Sequence, residues 1–175
     1  MEENNTTLIP RSKIIWRNAI AITLLFAVVL ILTDMFKDQM MEKNNLMSVI
    51  YMVVLFGTII FTQIQVREQS LGGIMSFSKA FGTGMLLALA VALMFGVFNF
   101  IFYTVISPDT LSEANRMAET SMREKGNSQE EIDMAMKFTG FMFTPVGILI
   151  STIIFYPLFG MLLSLVASLF TQRNR

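Results

Sequence analysis

The 175-residue chain is more than half apolar, carries no net formal charge, and contains neither cysteine nor histidine. That composition excludes disulfides, a thiol nucleophile and thiolate metal sites, and it removes the commonest general base, proton shuttle and metal ligand. Only 15% of the residues are charged, and they flank four long uncharged runs, leaving too few residues outside the runs for a second globular domain.

The runs lie between Arg17 and Asp34, Lys43 and Arg67, Lys79 and Asp109, and Lys137 and Arg173. A bilayer core of about 30 Å needs roughly 20 apolar residues in a helix. Lipid offers no partner to a free backbone amide, so the runs must be helical. The expected fold is an all-α integral membrane protein of four transmembrane helices, with an extramembrane helical hairpin between spans three and four.

Residues 1–13 read as a polar lead. The first span is expected over about 14–33, with Arg17 snorkelling to the headgroups. Arg11, Lys13 and Arg17 before an apolar run imitate a secretory signal. No small-residue cleavage site follows in Ile31-Leu32-Thr33-Asp34-Met35-Phe36, so the segment reads as an uncleaved span. The second span is expected over 46–64, then a polar connection through Lys79 with Gly72-Gly73 as a flexible joint. Phe77 and Phe81 share a helical face suited to an entry helix at the interface.

The third span is expected over 80–106, ending at Ser107-Pro108-Asp109, where proline and an acid signal a new helix. The outer connection covers 107–143. Its first helix should stop at Gly126-Asn127, and Ser128-Gln129-Glu130-Glu131 has the spacing of a capping box. The fourth span, 144–170, and its lead-in exceed one crossing, so it tilts or begins outside the bilayer. A tail, 171–175, follows. With the amino terminus inside, the inner segments hold seven Lys/Arg and three acids and the outer segments six and ten, giving +4 against −4. Both termini are therefore placed in the cytoplasm.

Within the spans the most regular feature is a stripe of small residues in the third: Ala80, Gly84, Ala88, Ala92 and Gly96. Ala19, Thr23 and Ala27 form a shorter one in the first span, and Gly160, Ser164 and Ser168 another in the fourth. Such stripes let helices approach closely. Packing inside one bundle is the preferred reading, a homo-oligomer seam the second. Asn99, Tyr103, Thr152 and Tyr156 are the candidate intramembrane polar contacts, and Pro157 is expected to kink the fourth span. No charged residue occupies the centre of any span, which argues against ion-coupled transport.

Met35, Met40, Met41, Met117, Met122, Met134 and Met136 crowd the outer connections, and thioethers can bind Cu(I). Leu111, Ala114, Ala118 and Met122 equally fit the apolar face of a helix, where methionine simply packs, and that reading is preferred. No loop of alternating oxygen donors suits calcium. No paired carboxylates or nucleophile–base arrangement supports an enzyme. No metal, cofactor or nucleic acid is expected.

Gly72-Gly73-Ile74-Met75-Ser76-Phe77-Ser78-Lys79-Ala80-Phe81-Gly82-Thr83-Gly84 resembles the bacterial membrane family known as domain of unknown function 4199. The Ser107-Pro108 exit, the charged helical connection and the final span are similar to it too, extending the resemblance from about Lys13 to Phe170. It implies a four-helix inner-membrane protein, most often of Bacteroidetes-type bacteria, and transfers no catalytic or binding residue. The expected role is a non-enzymatic scaffold or accessory subunit. Its partners would be the lipid bilayer and a second copy or another membrane protein. The alternative is a small oligomeric transporter or channel lined by Asn99, Tyr103, Thr152 and Tyr156, without a buried ionisable coupling residue.

Overall fold

The computed structural model describes residues 8–36 and 44–173. They form α1 (Arg11–Met35), α2 (Asn44–Ser70), α3 (Phe77–Ile101), α4 (Asp109–Glu124), α5 (Gln129–Thr139) and α6 (Pro145–Thr171). A π-helical turn, Phe102–Ile106, prolongs α3, and a 3-10 turn, Gly140–Phe143, precedes α6. Four helices (α1, α2, α3 with its π turn, and α6) are long and apolar enough to cross a membrane. No strand occurs among the described residues; one isolated bridge pairs Met75 with Arg173.

The apolar runs and the helices do not share ends. α2 stays helical from Gln65 to Ser70, beyond the apolar run. Buried Val66 gives this extension an inward face. The Gly72-Gly73 joint is a defined turn: both residues have positive φ, +67° and +91°, which glycine adopts without penalty. The amide of Gly73 donates to the Arg67 carbonyl at 2.8 Å, closing the end of α2. Phe77 then opens α3 directly, with Phe77 and Phe81 stacked 6.3 Å apart on one continuous helix rather than on a separate entry helix.

The long fourth run divides at Thr144. Its side-chain oxygen accepts from the Gly147 amide at 3.0 Å, and Pro145 occupies the first turn, where no amide donor is needed. A β-carbon on Gly147 would collide with the Phe141 carbonyl, so the lead-in folds tightly against the helix start only because residue 147 is glycine. α6 then continues through Pro157 to Thr171 as one helix. In the connection between α3 and α6, Ser128 and Glu131 form the full capping box, and Gly126 ends the preceding stretch at φ +82°.

The core gathers Ile15, Ala19, Ile22 and Phe26 of α1, Leu55 and Ile59 of α2, Leu87, Val91 and Phe95 of α3, and Ala167 of α6. α3 and α6 form the most extensive contact in the bundle. The outward faces stay apolar: Leu158, Phe159, Leu162, Leu165, Leu169 and Phe170 of α6 are all exposed, Phe170 by 77%.

Candidate functional site

All five residues of the α3 stripe are buried. The stripe meets α6 in antiparallel register. A β-carbon on Gly84 would overlap the Ser164 hydroxyl, one on Gly160 would overlap the β-carbon of Ala88, and one on Gly96 would stand 3.3 Å from Leu149 Cδ1. Small residues on both helices therefore set the distance between them, and the α6 residues Gly160, Ser164 and Ser168 are the facing half of the α3 stripe. On α1, Ala19, Thr23 and Ala27 are buried too.

At the end of the bundle where the described chain begins and ends, this close approach creates a polar network. Gln63 is fully buried on α2. Its Nε2 donates to the Ala80 carbonyl at 3.1 Å and lies 3.2 Å from the hydroxyls of both Ser164 and Ser168. Two amide protons thus serve three acceptors, one of them shared. The Thr171 hydroxyl donates to Gln63 Oε1 at 2.7 Å, and Ser164 donates to the Phe81 carbonyl at 2.8 Å. One side chain ties α2 to α3 and α6. Beside it, Asn18 Nδ2 of α1 donates to Thr62 at 3.0 Å and to Gln65 at 2.8 Å, and Arg17 donates to Gln65 at 3.1 Å.

The same end is closed by main chain. Met75 and Arg173 exchange backbone hydrogen bonds of 3.1 and 2.9 Å, Ile9 donates to the Gln69 carbonyl at 2.9 Å, and Arg67 Nη1 donates to the Thr171 carbonyl at 2.9 Å. Arg67 thereby satisfies an orphan carbonyl at the negative end of α6. Sequence reading by charge passed over Gln63 and Asn18. The available signal was neutral amides inside uncharged runs, which must find hydrogen-bond partners when buried.

The sequence-derived candidates lie toward the opposite end. Asn99 and Thr152 are buried, 6% and 7% exposed. Tyr156 joins an aromatic cluster, 5.8 Å from Phe95 and 6.4 Å from Phe26, with Tyr51 4.8 Å from Phe26. Tyr103 stands edge-on to Phe102 at 5.1 Å in the π-helical turn. Among the described residues, no side-chain hydrogen bond or ring contact links these four to one another as one polar lining. Between α2 and α6 a cleft of about 250 Å³ is lined by Ser48, Tyr51, Met52, Leu55, Tyr156, Phe159 and Leu163; only Tyr156 of the four lines it.

Where α3 passes into α4, Asp34 at the end of α1 accepts from Ser107 at 3.0 Å and from Thr110 at 2.8 Å. This fixes the start of α4 against α1. Along α4 Glu119 pairs with Arg123 at 2.8 Å, and at the start of α5 the Glu131 carboxylate accepts the Ser128 amide at 2.8 Å. That amide first, and then the Ser128 hydroxyl, hold Glu131 below the usual carboxylate range. Met134 is exposed and Met136 half-buried on α5. Two residues apart on a helix, they point to different sides and do not form a chelating pair. Met40 and Met41 lie outside the described residues. Among the described residues, no group of three or more acidic side chains converges as a metal site.

These features, from the Gly72-Gly73 turn through the small-residue stripe to the connection before α6, lie in the part of the chain that matches a family model. The model is that of a protein of unknown function, DUF4199, and the match runs over residues 18–173. The chain belongs to this family. No curated protein and no solved structure matches it. The DUF4199 match takes in Gln63 and its hydrogen-bond partners, the stripe and the α6 residues that face it; Arg17 and Ile9 lie just before it.

Proposed function

We propose that this DUF4199 protein is a non-enzymatic, multi-pass component of a bacterial inner membrane, a scaffold or accessory subunit that acts by presenting a rigid helical surface. The observation that carries this reading is Gln63. A fully buried amide bonded to α3 and α6 supports a reading in which interior polar chemistry holds helices together. Bonds of this kind act as interhelical glue where water is absent. The exposed apolar belt on α6 supports placement in lipid, since a water-soluble monomer rarely exposes so continuous a patch. The charge difference, +4 against −4, supports a reading with the termini in the cytoplasm and α4 and α5 outside as a helical hairpin.

Because the chain has no cysteine, single introduced cysteines report topology directly. K125C should react with an impermeant thiol reagent from outside intact cells and R173C only after permeabilisation; the reverse pattern overturns the orientation. Purification in mild detergent with mass measurement tests the role, and a defined oligomer or stoichiometric partner is the expected result. A bare monomer with no partner defeats the subunit reading. The α2–α6 cleft, lined by Ser48, Tyr51 and Tyr156 amid apolar side chains, favours the second reading, a small oligomeric transporter or channel. Solute flux in reconstituted vesicles, abolished by Tyr156→Ala, would select it.

A further inference from the structure

We propose that the rim where α1 and α3 begin holds the phosphate of an anionic phospholipid, with Arg11 and Lys79 as its cationic ligands and Ser78 beside them. This rests on the membrane reading above. A β-carbon on Gly82 would stand 3.3 Å from Nη2 of Arg11, so the guanidinium lies against α3 where glycine leaves room. Ser78 and Lys79 precede Gly82 by four and three residues and share its helical face. Both are exposed. The structure therefore brings two cations to one patch, and among the described residues neither has an acidic partner.

A second observation points to a ligand. Nε of Arg11 is buried and has no hydrogen-bond acceptor. A buried donor left unpaired is costly, and two like charges on one patch repel. A phosphate diester answers the charge through the guanidinium and the lysine, and it reaches Nε, which the protein covers here, once the Arg11 side chain turns outward.

The surroundings distinguish a lipid from free phosphate. Leu86, Leu89 and Leu93 follow Gly82 at helical spacing and are 49%, 42% and 45% exposed, an apolar track leading from the cations along α3. On α1, Trp16 is 53% exposed one to two turns beyond Arg11, the placement expected of an interfacial aromatic anchor. A headgroup on the cations would lay an acyl chain along the leucine track. Basic patches between helices on the cytoplasmic side bind lipid headgroups by this logic.

The test is reconstitution into nanodiscs holding equal phosphatidylglycerol and phosphatidylcholine of matched chains, followed by native mass spectrometry of the lipids retained on the released protein. At about fivefold per cation, K79Q should lose roughly fivefold, and R11Q/K79Q roughly 25-fold, of the wild-type preference for phosphatidylglycerol over phosphatidylcholine. R123Q/K125Q, which removes two cations from the far end, should keep the wild-type preference. Wild-type preference in R11Q/K79Q, or none in the wild type, overturns the proposal. Lys79 is exposed, so K79Q remains informative if the double variant misfolds. Added inorganic phosphate should leave the preference unchanged, and displacement by it would overturn the lipid assignment. A wild type that never enters the nanodisc fraction defeats the membrane reading itself, before any lipid is counted.

Discussion

The two ends of the bundle are held by different chemistry. At the end shared by Ile9 and Arg173, helices meet through small residues and a connected set of hydrogen bonds centred on Gln63. Toward the other end, Phe26, Tyr51, Phe95 and Tyr156 fill the space with rings, and Asp34 supplies a polar tie by accepting from two hydroxyls. The difference follows from residue size. Gly84, Ala88 and Gly160 bring α3 and α6 so close that only small polar groups fit beside them. Aromatic rings need wider spacing and make few directional bonds. The first end should therefore be the more rigid and the less tolerant of substitution.

The sharpest way to break this comparison is Gln63→Leu. It keeps the volume roughly similar but removes the donor to the Ala80 carbonyl and the acceptor for Thr171. Interhelical bonds in membranes are worth about 0.6 kcal/mol on average and up to about 1.7, so losing several should cost roughly 2–3 kcal/mol. Unfolding by denaturing detergent against mild detergent measures it, with exposed Gln69→Leu expected to be near neutral. Equal stability in the two variants would remove the network from any structural role.

Gly160→Ala is next. The added methyl overlaps the β-carbon of Ala88, and such overpacking costs about 1–3 kcal/mol. Ala88→Gly in the same chain should recover most of the loss, because the two sites couple by direct contact. An additive pair of effects in the same unfolding assay would show that α3 and α6 do not meet there. At the opposite end Asp34→Ala is expected to cost about 1 kcal/mol, from two hydroxyls that keep each other as partners at 2.7 Å. A larger loss than for Gln63→Leu would invert the ranking of the two ends.

The four crossing-length helices were legible because a charge-free run of that length has few alternatives. The α3 stripe was legible for a related reason: spacing by four is a property of one helix and needs no knowledge of its neighbour. Gln63 was not. It is a neutral amide at the edge of an uncharged run, and its serine partners stand 101 and 105 residues away in sequence. A search for buried charge cannot see it. Arg11 is one inner cation among seven in the sequence, although its place beside Gly82 depends on how α3 packs against α1. α2 runs past the expected span, through Gln65 to Ser70, which look like a polar connection in the sequence. They are helical since Val66 is buried and Gln65 bonds Asn18 and Arg17.

The smallest expected effect lies outside the bundle, in the capping box of α5. The Ser128 amide and hydroxyl lower the pKa of Glu131 in the folded chain. A carboxyl depressed on folding contributes stability that is present above its unfolded value and is lost as pH falls through the folded one. The cap should therefore be intact at neutral pH and weaken only below the ordinary carboxylate range. Glu131→Gln can still accept from the Ser128 amide but no longer titrates. Amide exchange at Glu131 and Ile132, the amides in the turn that Ser128 opens, should then accelerate with falling pH in the wild type relative to the variant, after correction for intrinsic rates. Identical pH profiles would show that the charge of Glu131 does not hold this turn. Because Glu131 is fully exposed, the change should stay local to α5 and leave the detergent unfolding midpoint unmoved, whereas Gln63→Leu shifts that midpoint and leaves the α5 turn alone.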